Sequence, residues 1–199
     1  IDEHQEAWKR RGIFARHMWW HRTLHYLEFE RYDDVLSAFD DEFWSEPSED
    51  NIDITNASSM LMRLAMLGID VGDRWESVGE VCARRTKDRL RPFNDLHFIM
   101  ALTQSGRMDD AREILASMRN FVAAHDTQGY RDAGIPVAES IIAHADKEYS
   151  KVVEVMSSAR YRMVPLGGSW AQRDVWLRML IDAAIEDGQH AYARALLTE

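Results

Sequence analysis

One recurring spacing constrains this chain more than its composition does. Gly106, Ala111 and Leu115 stand at positions i, i+5 and i+9, and Gly188, Ala193 and Leu197 repeat the pattern. Looser versions run through Glu30, Val35 and Phe39, through Asp73, Val78 and Cys82, and through Lys147, Val152 and Met156. The middle residues lie 43, 33, 41 and 41 positions apart. A turn residue, then a small or medium apolar residue one turn into the next helix, lets two antiparallel helices approach closely.

Apolar residues elsewhere recur at helical intervals, and no stretch alternates as a sustained strand does. The spacing and periodicity predict helices over 13–29, 32–44, 54–67, 72–88, 92–105, 108–124, 130–145, 148–160, 169–187 and 189–198. The four prolines and ten glycines fall mostly between them. Loops are expected over Ser45 to Asn51 and Arg162 to Gly168. The fold class is therefore all-α: an α-solenoid of about five antiparallel helix hairpins, tetratricopeptide-like but degenerate. Residues 1–199 are read as one helical-repeat domain.

Charge narrows the partners. The chain carries 24 basic and 34 acidic residues, a net charge of −10. The segment from Glu28 to Asp53 holds eleven acidic residues and one basic residue, Arg31, so the remainder is neutral overall. That balance argues against nucleic-acid binding, which needs a basic surface. Arg84, Arg85, Lys87, Arg89 and Arg91 form a small counter-patch. Both runs read as solvated faces, with a charged partner footprint as the alternative. The longest apolar runs, such as Phe98 to Leu102, are too short to span a bilayer, and no basic-then-apolar leader opens the chain. A single cysteine, Cys82, excludes a disulfide within the chain and suits a reducing compartment, so the expected location is cytoplasmic.

No Gly-rich phosphate loop, Gly-x-Ser-x-Gly elbow or His-Glu-x-x-His motif occurs. Polar residues inside apolar helices are what remain. His17, His21 and His25 project from one side of the first long helix, and His17 with His21 are the candidate metal ligands. His97, Asp95 or Asp174 is the candidate third ligand. Asn94, Asp95 and His97 open a helix behind Pro92, either as caps and a satisfied histidine or as a wall with His97 as proton carrier. Ser169 and Gln172 read as a capping box, with Arg173 and Arg160 or Arg162 close enough to strengthen an anion site. Asp174 shares a stripe with Trp170, Leu177 and Ile181, so it is expected among packed neighbours with Arg63, Arg160 or Arg162 as partner.

Several of these segments also carry a resemblance. They are Arg160-Tyr161-Arg162, Leu166-Gly167-Gly168-Ser169 and Ala171 to Val175, with Phe93-Asn94-Asp95 and His97-Phe98. Gly68, Val71-Gly72 and Arg74-Trp75 agree as well, as do His17, Trp20-His21, Ser59-Met60-Leu61 and Arg63-Leu64. Arg131-Asp132, Gly134 and Pro136 complete the set. In this order they resemble the C-terminal half of the tetratricopeptide repeat protein 38 family. Met18, Glu30, Asn56 and Trp170 depart from its pattern. The resemblance implies a soluble, cytoplasmic, all-helical repeat protein in a family without a firmly established activity. It also implies that further repeats precede this stretch, which leaves the first helix pair with an apolar face and predicts self-association through that end.

Two functions follow as expectations. The first is a non-enzymatic interaction or scaffold module that binds a protein or peptide through its concave face, with no cofactor. The alternative is a small-molecule or metal-assisted site. Its catalytic candidates are His97, Asp95 and Asp174, and the binding candidates are His17, His21, Arg63, Asn94, His97, Arg162, Ser169 and Arg173. That alternative requires these groups to converge on one pocket.

Overall fold

The computed structural model describes residues 13–89, 91–125 and 127–199. Ten α-helices follow one another among them: α1 (Ile13–Glu28), α2 (Tyr32–Ala38), α3 (Asn51–Met66), α4 (Arg74–Ala83), α5 (Pro92–Gln104), α6 (Met108–His125), α7 (Ile135–Ala145), α8 (Tyr149–Ala159), α9 (Trp170–Glu186) and α10 (His190–Thr198). Wide π turns at Phe39–Phe43 and Tyr130–Gly134 extend α2 and lead into α7, and tight turns at Arg160–Arg162 and Val164–Leu166 precede α9. The described residues contain no strand, and the chain is all-helical as its periodicity predicts. Helix α3 begins at Asn51, ahead of its first apolar residues, because the Asp50 carboxylate caps it by accepting from the Ile52 N–H at 2.7 Å.

Every odd-numbered helix ends in the same turn. The N–H groups of Arg31, Ile69, Arg107, Glu148 and Gln189 donate to the carbonyls of Tyr26, Leu64, Leu102, Ala143 and Ala184 at 2.8–3.0 Å. The residue before each donor has a left-handed backbone: Glu30, Gly68, Gly106, Lys147 and Gly188, with φ between 55° and 75°. This is the Schellman closure, which satisfies end carbonyls while reversing the chain. It corrects the expected register of the second pair. There the turn residue is Gly68, not Asp73, whose φ is −83°.

Each turn folds an even-numbered helix back onto its predecessor, and odd-numbered helices pack side by side. The α1–α3 seam shows the direction. Arg16 bonds Asp53 at 2.7 Å, His17 meets Asn56 at 3.1 Å, and the Trp20 indole N–H donates to Ser59 at 2.9 Å. Partners climb together along both helices, so α1 and α3 run parallel. Bonds across the molecule recur at similar separations: 34 positions for Arg74–Asp40, 35 for Tyr130–Asp95, 38 for His144–Asp182 and 35 for Tyr192–Ser157.

The spacing read from sequence marks close packing in most pairs. Val35, Phe39, Val78, Cys82, Ala111, Leu115, Val152, Met156 and Ala193 are all buried. Leu197 is the exception at 68% exposed; in α10 it is Leu196 that packs inward. Helix α9 brings a second correction. Its packed face is Val175, Trp176, Met179, Leu180, Ala183 and Ala184, while Trp170 is 72% exposed. Apolar residues surround α9 on nearly all sides, so the stripe through Trp170 and Leu177 looked equally like a core face.

The charged runs meet each other. Arg84 reaches the Glu49 carboxylate at 2.9 Å and Arg85 the Glu49 carbonyl at 2.8 Å, while Arg74 grips Asp40 at 2.6 Å. Asp40 and Glu49 of the acidic segment are thus held by arginines that follow it in the chain. The Cys82 thiol is buried, which pushes its pKa up to about 12 and leaves it unreactive. No helix of the described residues is long and apolar enough to cross a membrane.

Gly79, inside α4, sets how closely α4 meets α5. A Cβ built there would lie 2.1 Å from Ser105 Oγ and 2.6 Å from Ser105 Cβ. Gly79→Ala should therefore lower unfolding free energy by about 1–3 kcal/mol despite its better helix propensity. In urea titrations, adding Ser105→Gly should restore most of that loss; a stabilised single variant would show that the two helices can separate freely.

Candidate functional site

The residues singled out by sequence fall into three places. The first is a polar seam where α1, α3, α5 and α9 meet. His17 stacks on Trp20 with ring centroids 5.5 Å apart, and its Nε2 lies 3.2 Å from His21 Nε2. With the Asn56 carboxamide oxygen facing Nδ1, His17 carries its proton on Nδ1 and its Nε2 accepts from His21. Burial, followed by the neighbouring His17 and His25 rings, holds the His21 pKa below the ordinary imidazole value.

Arg63 is the centre of that seam, only 2% exposed. Its guanidinium donates to the Ser59 carbonyl at 3.0 Å and, across to α9, to the Ala171 carbonyl at 2.8 Å. It also lies over the Trp20 ring at 5.8 Å and 3.9 Å from the Asp174 carboxylate. Burial lowers its pKa to about 10, with Asp174 opposing the shift. Asp174 does find Arg63, as expected, but its closer partner is Arg178 at 2.5 Å, one turn further along α9. Arg178 was missed because an i, i+4 pair on an outer face looks like ordinary surface charge.

His97 borders this seam and is 1% exposed. Its Nδ1 donates to the Phe93 carbonyl at 2.7 Å, and its ring lies 4.4 Å from Phe93 and 5.3 Å from Trp176. Burial pushes its pKa down to about 3, and the nearby Arg63 charge adds to the fall. A neutral imidazole at physiological pH, sealed by two aromatic rings, acts as a packing element rather than a proton carrier near neutrality.

The second place is the start of α5. Asp95 is 1% exposed and faces away from His97. It bonds Arg89 at 2.5 Å and accepts from the Tyr130 hydroxyl at 2.8 Å. Burial raises its pKa to about 6, partly offset by Arg89 and Tyr130. Asn94 beside it is half-buried. Asp95 is thus a clasp between α5 and the turn before α7, not a third ligand for His17 and His21. Among the described residues, no group of three or more His, Cys, Asp or Glu side chains is placed to hold a metal.

The third place is a surface groove of about 330 Å³ between the end of α8, α9 and α10. Its walls include Tyr161, Met163, Val164, Trp170, Leu177 and Leu196. Tyr161, Val164 and Trp170 are 70%, 72% and 72% exposed. Exposed apolar side chains gathered in one place mark an interaction surface more often than scattered ones do. Ser169 and Gln172 form the capping box on both sides, at 2.7 and 3.3 Å. Arg173 holds the Gly167 and Gly168 carbonyls, Arg162 bonds Ser158, and Arg160 clasps Glu199. The cap amides and Arg160 are therefore spent within the chain, while the groove wall also carries the carboxylates of Asp174 and Glu199 beside Arg160 and Arg173. The groove's apolar wall was hidden in sequence, where Trp170 and Leu177 read as part of a packed stripe.

The candidates therefore do not converge on one pocket. His17, His21, Arg63 and His97 gather around the seam, Asn94 and Asp95 lie at the α5 start, and Arg173 lines the groove with Arg162 and Ser169 next to its lining residues in sequence; Asp174 lines the groove and also reaches toward Arg63 of the seam. No family model matches the chain, and no solved structure matches it.

His97 and Asp95 act oppositely on acid stability. His97 has a native pKa below its unfolded value of 6.5, so its contribution is present above that pH and lost as pH falls toward about 3. Asp95 has a native pKa raised toward about 6, so its contribution is present at low pH and lost as pH rises through that value. Between about pH 6.5 and pH 5 the His97 effect should cost about 2 kcal/mol of stability. His97→Asn should flatten that acid loss and Asp95→Asn should steepen it, read from urea midpoints at both pH values; unchanged slopes would mean that neither group titrates as its burial requires.

Proposed function

We propose that this chain is a tetratricopeptide-like α-solenoid of five hairpins, related to the C-terminal half of the tetratricopeptide repeat protein 38 family, that works as a protein-interaction module. The recurring Schellman closures and the cross-hairpin bonds at near-constant separation support the repeat reading. The observation that carries the function is the groove, where three largely exposed apolar side chains surround a cavity whose wall also carries Arg173 and Asp174. Such a surface suits a segment that inserts an apolar side chain between polar neighbours. On this reading the binding face lies beside α9, which Trp176 and Arg63 fasten over α3 and α5, rather than on the concave face expected from sequence.

The test is selection from a random peptide library against the full chain. Enriched peptides should carry a shared aromatic or aliphatic residue. Their affinity should fall at least about tenfold with Trp170→Ala and stay level with His17→Ala. Binders indifferent to Trp170, or no enrichment at all, would overturn the reading.

A second reading, a divalent-metal or small-molecule site at His17 and His21, is favoured by one distance. Two nitrogens bound to one tetrahedral zinc at about 2.0–2.1 Å lie about 3.3 Å apart, close to the 3.2 Å seen here. Zinc titration by calorimetry should then show one binding event lost with His21→Ala; heats equal in both proteins would remove this reading.

A further inference from the structure

Four odd-numbered helices end around one cavity, which shares no lining residue with the groove. Met66, Gln104 and Glu186 are the last residues of α3, α5 and α9, and His144 is the last but one of α7. All four line a cavity of about 310 Å³. Pockets for small ligands span about 300–1,000 Å³. Helix C-termini concentrate negative potential, which favours cations and disfavours carboxylates in the last turn. Helix α9 breaks that preference, because Asp182 and Glu186 stand one turn apart at its end and both line the cavity.

The wall offers these carboxylates little compensation. Among the described residues no lysine or arginine lines it, and Lys147, in the turn after α7, is exposed outside it. His144 donates from Nε2 to Asp182 at 2.7 Å. Glu186 is exposed and has no hydrogen bond or salt bridge among the described residues. Burial raises the Tyr149 pKa, and the charges of Glu186 and Asp182 raise it further. The α3 side of the cavity is apolar, with Met62 only 2% exposed and Met66 one turn beyond it.

We infer that this cavity binds an ammonium group carried on an apolar stem, with the charge beside Asp182 and Glu186 and the stem over Met62 and Met66. Flexible thioethers adapt their packing to an alkyl chain. The Tyr149 ring, 5.5 Å from His144 between centroids, adds an aromatic surface that a cation favours. A divalent metal fits the donors poorly. One Asp182 oxygen already accepts from His144, and no three His, Cys, Asp or Glu side chains among the described residues are placed to hold an ion. A free diamine and the lysine side chain of a peptide both offer the alkylammonium chemistry.

Nuclear magnetic resonance titration of the full chain, isotope-labelled at its methionine methyls, tests this with diaminopentane and with acetyl-lysine methylamide as probes. The Met62 and Met66 signals, assigned through Met62→Leu and Met66→Leu, should shift saturably. Tighter binding of the diamine would identify a free amine as the ligand, and tighter binding of the lysine derivative a peptide side chain. Glu186→Gln should weaken binding about fivefold, and Glu186→Lys should abolish it by placing a cation in the wall. The position is exposed, and unchanged helical circular dichroism would confirm that both variants fold. Neutral pentanol should leave the two signals in place. No shift with either amine, equal binding of pentanol, binding indifferent to Glu186→Lys, or calcium moving the same signals at lower concentration than the amines would each overturn the inference.

Discussion

A buried guanidinium holds this structure in its particular shape. Arg63 leaves water almost completely, which is costly for a charge unless its donors are met. Two of those donors reach main-chain carbonyls, one on its own helix and one on α9, more than a hundred positions away in sequence. That bridge fastens the ninth helix onto the third. Beside it Trp176 closes over His97, and Asp174, held more closely by Arg178, has Arg63 as a second counter-charge.

The arrangement decides what the polar residues can do. His97 is packed between Phe93 and Trp176 with its proton directed at a carbonyl, so burial keeps it neutral. Asp95, only two residues earlier, points to the opposite side and clasps Arg89 and Tyr130. Neighbours in sequence on a helix face different directions, so a cluster of polar letters is no guide to a shared site. Fixing α9 by one face also turns its other apolar stripe outward. Trp170 and Leu177 become a groove wall because Val175, Trp176 and Met179 already occupy the interior.

Much of the fold was legible before any coordinates. The ten helices follow from apolar periodicity and from few helix breakers, and Ser169 with Gln172 announced the cap that α9 uses. The register of the second hairpin was misread because Asp73 occupies a turn-like position in sequence. The backbone takes its left-handed step earlier, at Gly68, where no side chain resists it. The site was less legible. Asp174 lies near Arg63, one of the three partners the sequence left open with Arg160 and Arg162, yet Arg178 and the exposure of Trp170 were not foreseen, since both depend on which side of α9 faces inward.

Sequence by itself therefore determined the helices, their turns and their pairing, because these depend on residues within a few turns of one another. Tertiary structure alone decided which apolar stripe of α9 became core and which became surface, and with it the separation of His17, Asp95 and Arg173 into three places. The physical reason is that α9 is apolar on both sides, so its own sequence is nearly neutral between the two. A distant side chain, Arg63, favours one of them by donating one N–H to the Ala171 carbonyl.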